Sequence, residues 1–204
     1  GRPGMVGIQL DLDDPASLPS LADEVRARFP ELNVLLANAG ISQQEDLTAD
    51  GWNASVAEAI VKTNIVGVLR VTAAFLPMLK ERPDAALIVT TSNLAHVPRA
   101  AFPAYCASKA FLHSWLQSLR WQLRNASVEV LELAPPYVQT ELTGQHQAND
   151  PRAMPLDAFV AEVMDLLEAG DHPGGEVLVE STRAMRWAER DGRYEATFAA
   201  MNPA

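Results

Sequence analysis

Short apolar runs alternate with helical segments along this chain of 204 residues. The run at residues 34–36 is too short and too uniformly apolar for a surface helix, so we predict a buried parallel strand there. Residues 86–91 are predicted as the next buried strand and residues 128–133 as a further strand. Two further strands are expected at residues 6–12, where the residues alternate and end in acids, and at residues 176–180. Strands that alternate with helices predict an open parallel sheet with helices on both faces and sites at the carboxyl ends of the strands. The expected fold class is therefore α/β with a doubly wound parallel sheet.

Four helices are predicted between these strands, over residues 15–29, 53–81, 105–124 and 155–169. Asp14 and Pro15 mark the start of the first helix as its N-cap and first helical position, and Pro77 should tighten the last turn of the second. The second and third helices are too apolar to face water, so we expect them to pack against a second subunit in a homodimer or homotetramer. Residues 144–151 are polar and form the one long loop expected, either a substrate lid or a mobile surface loop.

Composition narrows the class of partner. The net charge of −10, from 26 acidic and 16 basic residues, would repel nucleic acid. Cys106 is the only cysteine, which excludes an intramolecular disulfide and fits a reducing, cytoplasmic setting. Lys62, Arg70 and Lys80 interrupt the apolar stretches, so no membrane span is expected. No metal is expected either, because metal-ligand spacing is lacking among the four histidines, His96, His113, His146 and His172.

Tyr105 and Lys109 are the strongest candidates for chemistry. They are four residues apart, so on a helix they lie on one face with about 6 Å of axial rise between them. A lysine charge near the phenol would lower the tyrosine pKa from its ordinary value of about 10. Tyr105 could then exchange a proton with a carbonyl or alcohol oxygen, and Ser92, at the end of its strand, could hydrogen-bond the same oxygen. The pattern predicts carbonyl/alcohol redox chemistry.

Two further features extend this set: Asn64 lies inside the second helix, and Asn38-Ala39-Gly40 follows an apolar strand. With them, the chain resembles the short-chain dehydrogenase/reductase family from about Gln9 to Glu180. The resemblance implies one Rossmann-like domain over residues 1–204 and hydride transfer between NADP or NAD and a small carbonyl compound or secondary alcohol. The segments Ala-Phe-Pro-Ala-Tyr-Cys-Ala-Ser-Lys and Ala-Pro-Pro particularly resemble a bacterial subgroup found with D-alanylation genes.

The resemblance implies roles for individual residues. Asn64, Ser92, Tyr105 and Lys109 would form the catalytic tetrad. Tyr105 would be the acid/base and Ser92 would orient the substrate oxygen. Lys109 would hold the nicotinamide ribose and lower the tyrosine pKa, and Asn64 would anchor a water in a proton relay.

The same resemblance implies a set of cofactor-binding residues. Tyr105 and Lys109 belong to it, together with a turn beside the adenosine ribose, an adenine-side pair and a segment facing the nicotinamide carboxamide. The turn consists of Asn38, Ala39 and Gly40, and the adenine-side pair is Asp11 and Leu12. The segment facing the carboxamide contributes Pro135, Val138 and Thr140. Ala37 replaces the usual asparagine before the turn. Pro136 replaces the usual glycine of the segment that faces the carboxamide, and the proline narrows the backbone turn there.

Simpler interpretations remain open for several of these residues. Asn38 could tolerate a left-handed turn, and Asn64 could be a buried polar residue bonded to a neighbouring strand. Asp11 could be a turn acid, and Thr140 could cap a helix. Cys106 fits a small apolar filler better than a redox group.

A glycine-rich phosphate-binding turn is not found ahead of Gln9. Gly1, Gly4 and Gly7 follow no strand and open no helix. Relative to the family, the N-terminal βαβ portion is therefore expected to be missing, and the choice between NAD and NADP cannot be read. Either a longer parent is an ordinary oxidoreductase, or the chain is a catalytically silent binding or scaffolding module. The substrate pocket is expected to be lined by Leu94, His96, Tyr137, His146 and Met154.

Overall fold

The computed structural model describes residues 4–12, 14 and 16–203. Its centre is a four-stranded parallel sheet in the order β1-β2-β3-β4, with β1 at Val34–Ala37, β2 at Ala85–Thr90, β3 at Val128–Leu133 and β4 at Glu176–Val177. The α-helices of the described residues are α1 Ser17–Arg28, α2 Ser55–Ile60, α3 Val68–Lys80, α4 Pro103–Gln122, α5 Gln145–Ala148, α6 Leu156–Ala169, α7 Glu180–Arg186 and α8 Tyr194–Met201. The predicted parallel α/β sheet is confirmed.

Alternate strand residues supply two separate apolar cores. Leu87 and Val89 of β2 pack with Leu112 of α4 on one face of the sheet. Ile88, which points the other way, packs with Val163 of α6. Because a strand sends successive side chains to opposite faces, a uniformly apolar strand requires helices on both sides.

The strand expected at residues 6–12 is wrong. A strand needs a hydrogen-bonded neighbour, and β1 is paired only with β2, so no described strand lies beside its other edge. Leu12 instead packs into a cluster with α1 and α3, and Val34 and Leu36 of β1 stay exposed. The sheet therefore has an open edge and an uncovered apolar strip along β1.

Helix α1 falls within the range predicted for it. Asp14 accepts a hydrogen bond from the backbone amide of Ala16 at 3.0 Å, and Ala16 occupies the N-cap position without a side-chain cap. Pro15, which was predicted as the first helical residue, lies outside the described residues.

The second predicted helix runs without a break from Ser55 to Lys80, but its middle turn, Val61–Gly67, is a π-helix. Pro77 lies in its last turn, and the helix ends three residues later. By length and composition alone this helix could cross a membrane. The core helices of globular proteins meet the same criteria, and this helix packs on β1 and β2.

Three boundaries differ from the prediction. Helix α4 begins at Pro103, because proline suits a first helical position. Strand β4 ends at Val177, since Val179 already caps α7. The segment 144–151 is not purely a loop, because α5 lies within it.

Candidate active site

The carboxyl ends of β1, β2 and β3 lie at one edge of the sheet, where parallel folds place their sites. Ser92 follows β2 by two residues and adopts an extended conformation that caps the short 3-10 turn Asn93–Ala95. Its hydroxyl accepts a hydrogen bond from the amide of Leu94 at 3.1 Å. The strand end therefore fixes the Ser92 hydroxyl, as the sequence predicted.

Tyr105 and Lys109 lie on α4 and are both buried. The Lys109 ammonium lies 5.7 Å from the centre of the Tyr105 ring, and it donates a hydrogen bond to the carbonyl oxygen of Thr90 at 2.8 Å. The Ser92 hydroxyl interacts with the Tyr105 phenol from the facing strand end, and both residues line one cavity. The helix thus brings a phenol and an ammonium against the hydroxyl of Ser92.

Loss of hydration sets the protonation of both groups. Burial raises the pKa of Tyr105 to about 12, while its hydrogen bond to Ser92 acts in the opposite direction. Burial lowers the pKa of Lys109 to about 8. The expectation that Lys109 lowers the tyrosine pKa is wrong for this structure, because the ammonium is directed at Thr90 and burial outweighs its charge.

Asn64 is fully buried in the π-helical turn. Its side-chain oxygen accepts from the amide of Ile41 at 2.8 Å, and its nitrogen donates to the Ile41 carbonyl at 2.9 Å and to the Ser108 hydroxyl at 3.1 Å. These bonds match the simpler interpretation of Asn64 as a buried polar residue, here bonded to the loop after β1. They also hold that loop against α4, one residue from Lys109.

A cavity of about 520 Å³ opens beside Ser92 and Tyr105. Leu94, Tyr137 and His146 line it, as predicted. The other lining residues are Ser42, Gln44, Asn93, Arg99, Phe102, Pro136, Leu142, Thr143, Gln147, Arg152, Ala200, Met201 and Pro203. The prediction is wrong for His96 and Met154. His96 turns toward Glu132 behind the site, and Met154 forms an isolated parallel bridge with Val138.

Sequence reasoning missed the part of the cavity wall that α8 contributes. Asn202, just after α8, accepts a hydrogen bond from the amide of Ala100 at 2.6 Å and donates to the carbonyl of Pro98 at 3.1 Å. The contact joins segments about a hundred residues apart, so no local pattern could reveal it. The sequence gave only a weak indication that Arg99 lies near the cavity, namely its position six residues before Tyr105.

A second, apolar groove of about 190 Å³ runs along β1. Leu12, Asn38 and Ala39, three of the predicted cofactor-binding residues, line it, whereas Asp11 does not. The Asp11 carbonyl accepts the amide of Asp14 at 3.2 Å, which agrees with its interpretation as a turn residue. Asn38 accepts a hydrogen bond from the Thr90 hydroxyl at 3.0 Å, and no non-glycine residue of the described ranges has a positive φ, so a left-handed Asn38 is wrong.

The segment from Pro135 to Thr140 is held by its own contacts. The Pro135 carbonyl accepts the amide of Asn93 at 2.9 Å. Gln147 donates to the carbonyl of buried Val138 at 2.8 Å and to the Thr140 hydroxyl at 3.1 Å. Thr140 does not cap a helix, because α5 begins after Gly144 without a side-chain cap. Pro135, Val138 and Thr140 do not line the cavity beside Tyr105.

His96, His113 and Glu132 bring their possible metal-ligating atoms within 4.8 Å of one another, although their spacing in the sequence gave no sign of it. Hydrogen bonds account for both ring nitrogens of His113: Nδ1 lies 2.7 Å from Glu132, and Nε2 lies 2.9 Å from the amide nitrogen of Gln117. A neutral imidazole that donates to Glu132 and accepts from Gln117 satisfies these contacts without a metal. The absence of a metal stays a prediction.

The parallel α/β sheet, with Tyr105, Lys109 and Ser92 near the carboxyl ends of its strands, is a Rossmann-like fold. The chain belongs to the short chain dehydrogenase family, whose model matches residues 2–151. It is 35% identical over 197 residues to the uncharacterized oxidoreductase DltE of Bacillus subtilis (strain 168), covering 95% of this chain and 77% of that protein. It is 29% identical over 140 residues to the 3-oxoacyl-[acyl-carrier-protein] reductase FabG of Salmonella typhimurium, covering 67% of this chain and 55% of FabG.

Solved structures agree with this fold. A short chain dehydrogenase from Burkholderia cenocepacia in complex with NADP superposes with a TM-score of 0.80 at 25% identity, covering 98% of this chain and 82% of that one. The similarity to DltE confirms the expected likeness to proteins associated with D-alanylation genes.

Proposed function

We propose that this chain carries the catalytic residues of an NAD(P)-dependent oxidoreductase that transfers hydride between nicotinamide and a carbonyl compound or secondary alcohol. The observation that carries the proposal is the pairing of the Tyr105 phenol with the Ser92 hydroxyl at the wall of one cavity, with Lys109 against the tyrosine ring. The membership of the chain in the short chain dehydrogenase family supports it.

Several described residues suit a dinucleotide. A Cβ on Gly40 would lie 3.3 Å from the Asn64 side-chain oxygen and 3.6 Å from the Lys109 nitrogen, so glycine leaves the strand end open at this point. Leu12, Asn38, Ala39 and Gly40 would hold the adenosine end, and the groove along β1 gives apolar surface for it. Tyr105 and Lys109 would hold the nicotinamide ribose. The NADP complex of the Burkholderia cenocepacia relative supports this cofactor class, and NADP and NAD both remain candidates.

A glycine-rich phosphate-binding turn is not found in the described ranges. Gly4 and Gly7 meet no atom within 4 Å of an added Cβ and follow no strand, and Gly1 lies outside the described residues. The residues present therefore fit the two ends of the cofactor better than its diphosphate.

The bound nicotinamide would supply or accept the hydride. During carbonyl reduction, Tyr105 is protonated at neutral pH because burial raises its pKa to about 12, so its phenol can give a proton to the carbonyl oxygen. Ser92 would donate a hydrogen bond to the same oxygen. Lys109, whose pKa burial lowers to about 8, can pass a proton toward Tyr105 near neutral pH. Asn64 would hold the loop that follows β1 in a fixed position against α4. We also propose that Asn64 anchors a water in a proton relay.

A second candidate function is considered because no phosphate-binding turn lies within the ranges that the structure describes. The chain could keep the catalytic helix and act only as a binding or scaffolding module. We also propose a cytoplasmic setting and a homodimer or homotetramer, on the basis of the single free cysteine and the apolar long helices.

A fluorescence titration of the purified chain with NADPH and NADH, combined with a reductase assay, tests the proposal. We expect saturable binding of at least one of them, and for Tyr105→Phe a loss of turnover of about 100-fold or more with cofactor binding retained. Unchanged turnover in Tyr105→Phe would refute the mechanism. A folded chain that binds neither dinucleotide would favour the binding-module alternative.

A further inference from the structure

The cavity beside Tyr105 carries positive charge on its wall. Arg99, Arg152 and His146 line it, whereas no aspartate or glutamate is among its lining residues. This contrasts with the whole chain, which has 26 acidic and 16 basic residues and a net charge of −10. The cavity is therefore a local exception in an acidic molecule.

The two arginines differ in how far their charge is neutralised. Arg152 forms a forked ion pair with Asp150, with its Nε 3.0 Å from Oδ1 and a terminal nitrogen 2.7 Å from Oδ2. The Arg99 guanidinium has no carboxylate partner in the part of the chain that the structure describes, and it lies 5.6 Å from the centre of the Phe102 ring. The unneutralised charge of the wall is that of Arg99.

The backbone around Arg99 is fixed next to the catalytic helix. The Arg99 amide donates to the Cys106 sulfur at 3.4 Å, and Cys106 is the neighbour of Tyr105. Asn202 binds the two residues that flank Arg99, Pro98 and Ala100. The segment is held between α4 and the end of α8, so the base of the Arg99 side chain is fixed relative to Tyr105.

We propose that Arg99 binds an anionic group of the substrate, so that the carbonyl compound carries a carboxylate, sulfonate or phosphate away from its reacting carbon. This inference rests on the proposed function and names its substrate class. A guanidinium presents a fork of donors that matches two oxygens of such a group. The cavity, at about 520 Å³, lies within the usual range for small-molecule sites of about 300–1,000 Å³. Ser92 and Tyr105 would take the carbonyl oxygen and Arg99 the anion.

Matched pairs of aldehydes test this proposal by steady-state kinetics. Succinic semialdehyde is compared with butanal, and glyceraldehyde 3-phosphate with glyceraldehyde, so that the pairs separate a carboxylate from a phosphate. We expect the wild type to prefer the anionic member of at least one pair. Arg99→Gln should lower kcat/KM for that member by roughly 10- to 100-fold and for its neutral partner far less. Arg99→Lys, which keeps the charge, should recover part of the loss.

Arg26→Gln is the matched control, because Arg26 is an exposed arginine that pairs with Glu81 outside the cavity. It should preserve the preference for the anion. An equal loss for anionic and neutral aldehydes in Arg99→Gln, or no preference in the wild type, would overturn the proposal. Because the Arg99 side chain is exposed, the circular dichroism spectrum and the thermal unfolding of Arg99→Gln should match those of the wild type.

A binding measurement without turnover separates this proposal from the proposed function. Saturation-transfer difference NMR compares 4-hydroxybutyrate with 1-butanol on the wild type and on Arg99→Gln. Preferential binding of 4-hydroxybutyrate that disappears in Arg99→Gln supports the anion site even in a preparation that turns over no aldehyde. Turnover of neutral aldehydes without such binding supports the proposed function and rejects the anion site.

Discussion

At the residue scale, burial decides the protonation of the groups around the cavity. Tyr105 has its pKa raised, whereas Lys109 and His96 have theirs lowered, and in each case loss of hydration is the largest cause. At neutral pH, Tyr105 and His96 are therefore uncharged, whereas Lys109, with a pKa of about 8, is still mostly protonated. A site of this kind can exchange protons with a bound oxygen without holding a permanent charge at the tyrosine.

His96 gives a prediction about stability in acid. Burial lowers its pKa from 6.5 to about 4, and the charges of His113 and Arg186 act in the same direction. The unfolded chain therefore binds a proton below pH 6.5 that the folded chain does not bind until about pH 4. The free energy of unfolding should fall as the pH falls through this window, and His96→Gln should show a shallower fall in urea unfolding.

Glu132 also contributes to acid sensitivity, because its pKa is lowered by its hydrogen bonds to His113 and Thr91 against the effect of burial. Its contribution is present above its ordinary pKa of 4.5 and is lost as the pH falls further. The effect of His96 is therefore read from the difference between wild type and variant. Parallel stability curves for the two proteins would contradict the assignment.

The candidate site could be predicted where its signal is local. The spacing of Tyr105 and Lys109 places both on one helix face, and Ser92 follows an apolar strand. The burial that sets their pKa values depends on the packed fold. The position of Arg99 at the cavity also depends on the packed fold, because α8 holds it there. The proximity of His96 to Glu132 depends on the packed fold as well. Sequence spacing therefore identified the candidate reacting groups but neither their protonation nor their surroundings.

At the scale of elements, one buried carboxylate joins three of them. Glu132 of β3 is only 1% exposed, and it accepts hydrogen bonds from the Thr91 hydroxyl at 2.7 Å and from His113 of α4 at 2.7 Å. Thr91 directly precedes Ser92, and His113 lies one turn beyond Lys109. Glu132 therefore ties the strand end that carries Ser92 to the helix that carries Tyr105.

Glu132→Gln should weaken this connection. The neutral amide keeps the size of the side chain but removes the charge that strengthens both hydrogen bonds, so we expect the free energy of unfolding to fall by about 2–3 kcal/mol. Urea unfolding at neutral pH measures the change. Glu129→Gln is the matched control on the same strand, because the Glu129 side chain is 56% exposed, and its effect should stay within about 0.5 kcal/mol. Equal effects of the two substitutions would contradict a linking role for Glu132.

The elements themselves were predictable where an apolar pattern is long or enclosed. The strands at β1, β2 and β3 and the long helices follow from such patterns, since each must be covered on more than one side. The segment 6–12 has the composition of a strand but pairs with no described strand, and Leu12 packs with α1 and α3 instead. The short helices α5, α7 and α8 were missed, because helices of a few turns depend on tertiary packing more than on their own periodicity.

At the scale of the whole molecule, the described residues expose apolar side chains on several surfaces, and two of these are candidates for association. One is the strip on β1, where Val34 and Leu36 are exposed beside an edge that no described strand pairs. The other is a stripe along the outer face of α4, where exposed positions recur at helical spacing: Ala107, Phe111, Ser114, Ser118 and Trp121. Phe111 is 42% exposed and Trp121 69% exposed, which is unusual for aromatic side chains and favours an interface.

We predict that the chain associates through the α4 stripe rather than through the sheet edge. A helix face with large aromatic residues at its two ends and small residues between them can pack closely against a copy of itself. In sedimentation velocity the wild type should be a dimer or tetramer, and Phe111→Asp should shift it toward monomer. Leu47→Asp in the polar segment after β1 is the control, since Leu47 is also exposed and should not change the association state.

Leu36→Lys separates the two surfaces. It places a charge on the exposed strip of β1, where association through the sheet edge would be disrupted and association through α4 would not. If Leu36→Lys gives monomers and Phe111→Asp does not, the molecules join edge to edge. The open edge is then the dominant surface, and the two long helices of the chain face solvent despite their apolar composition. A wild type that stays monomeric at every concentration would exclude both routes.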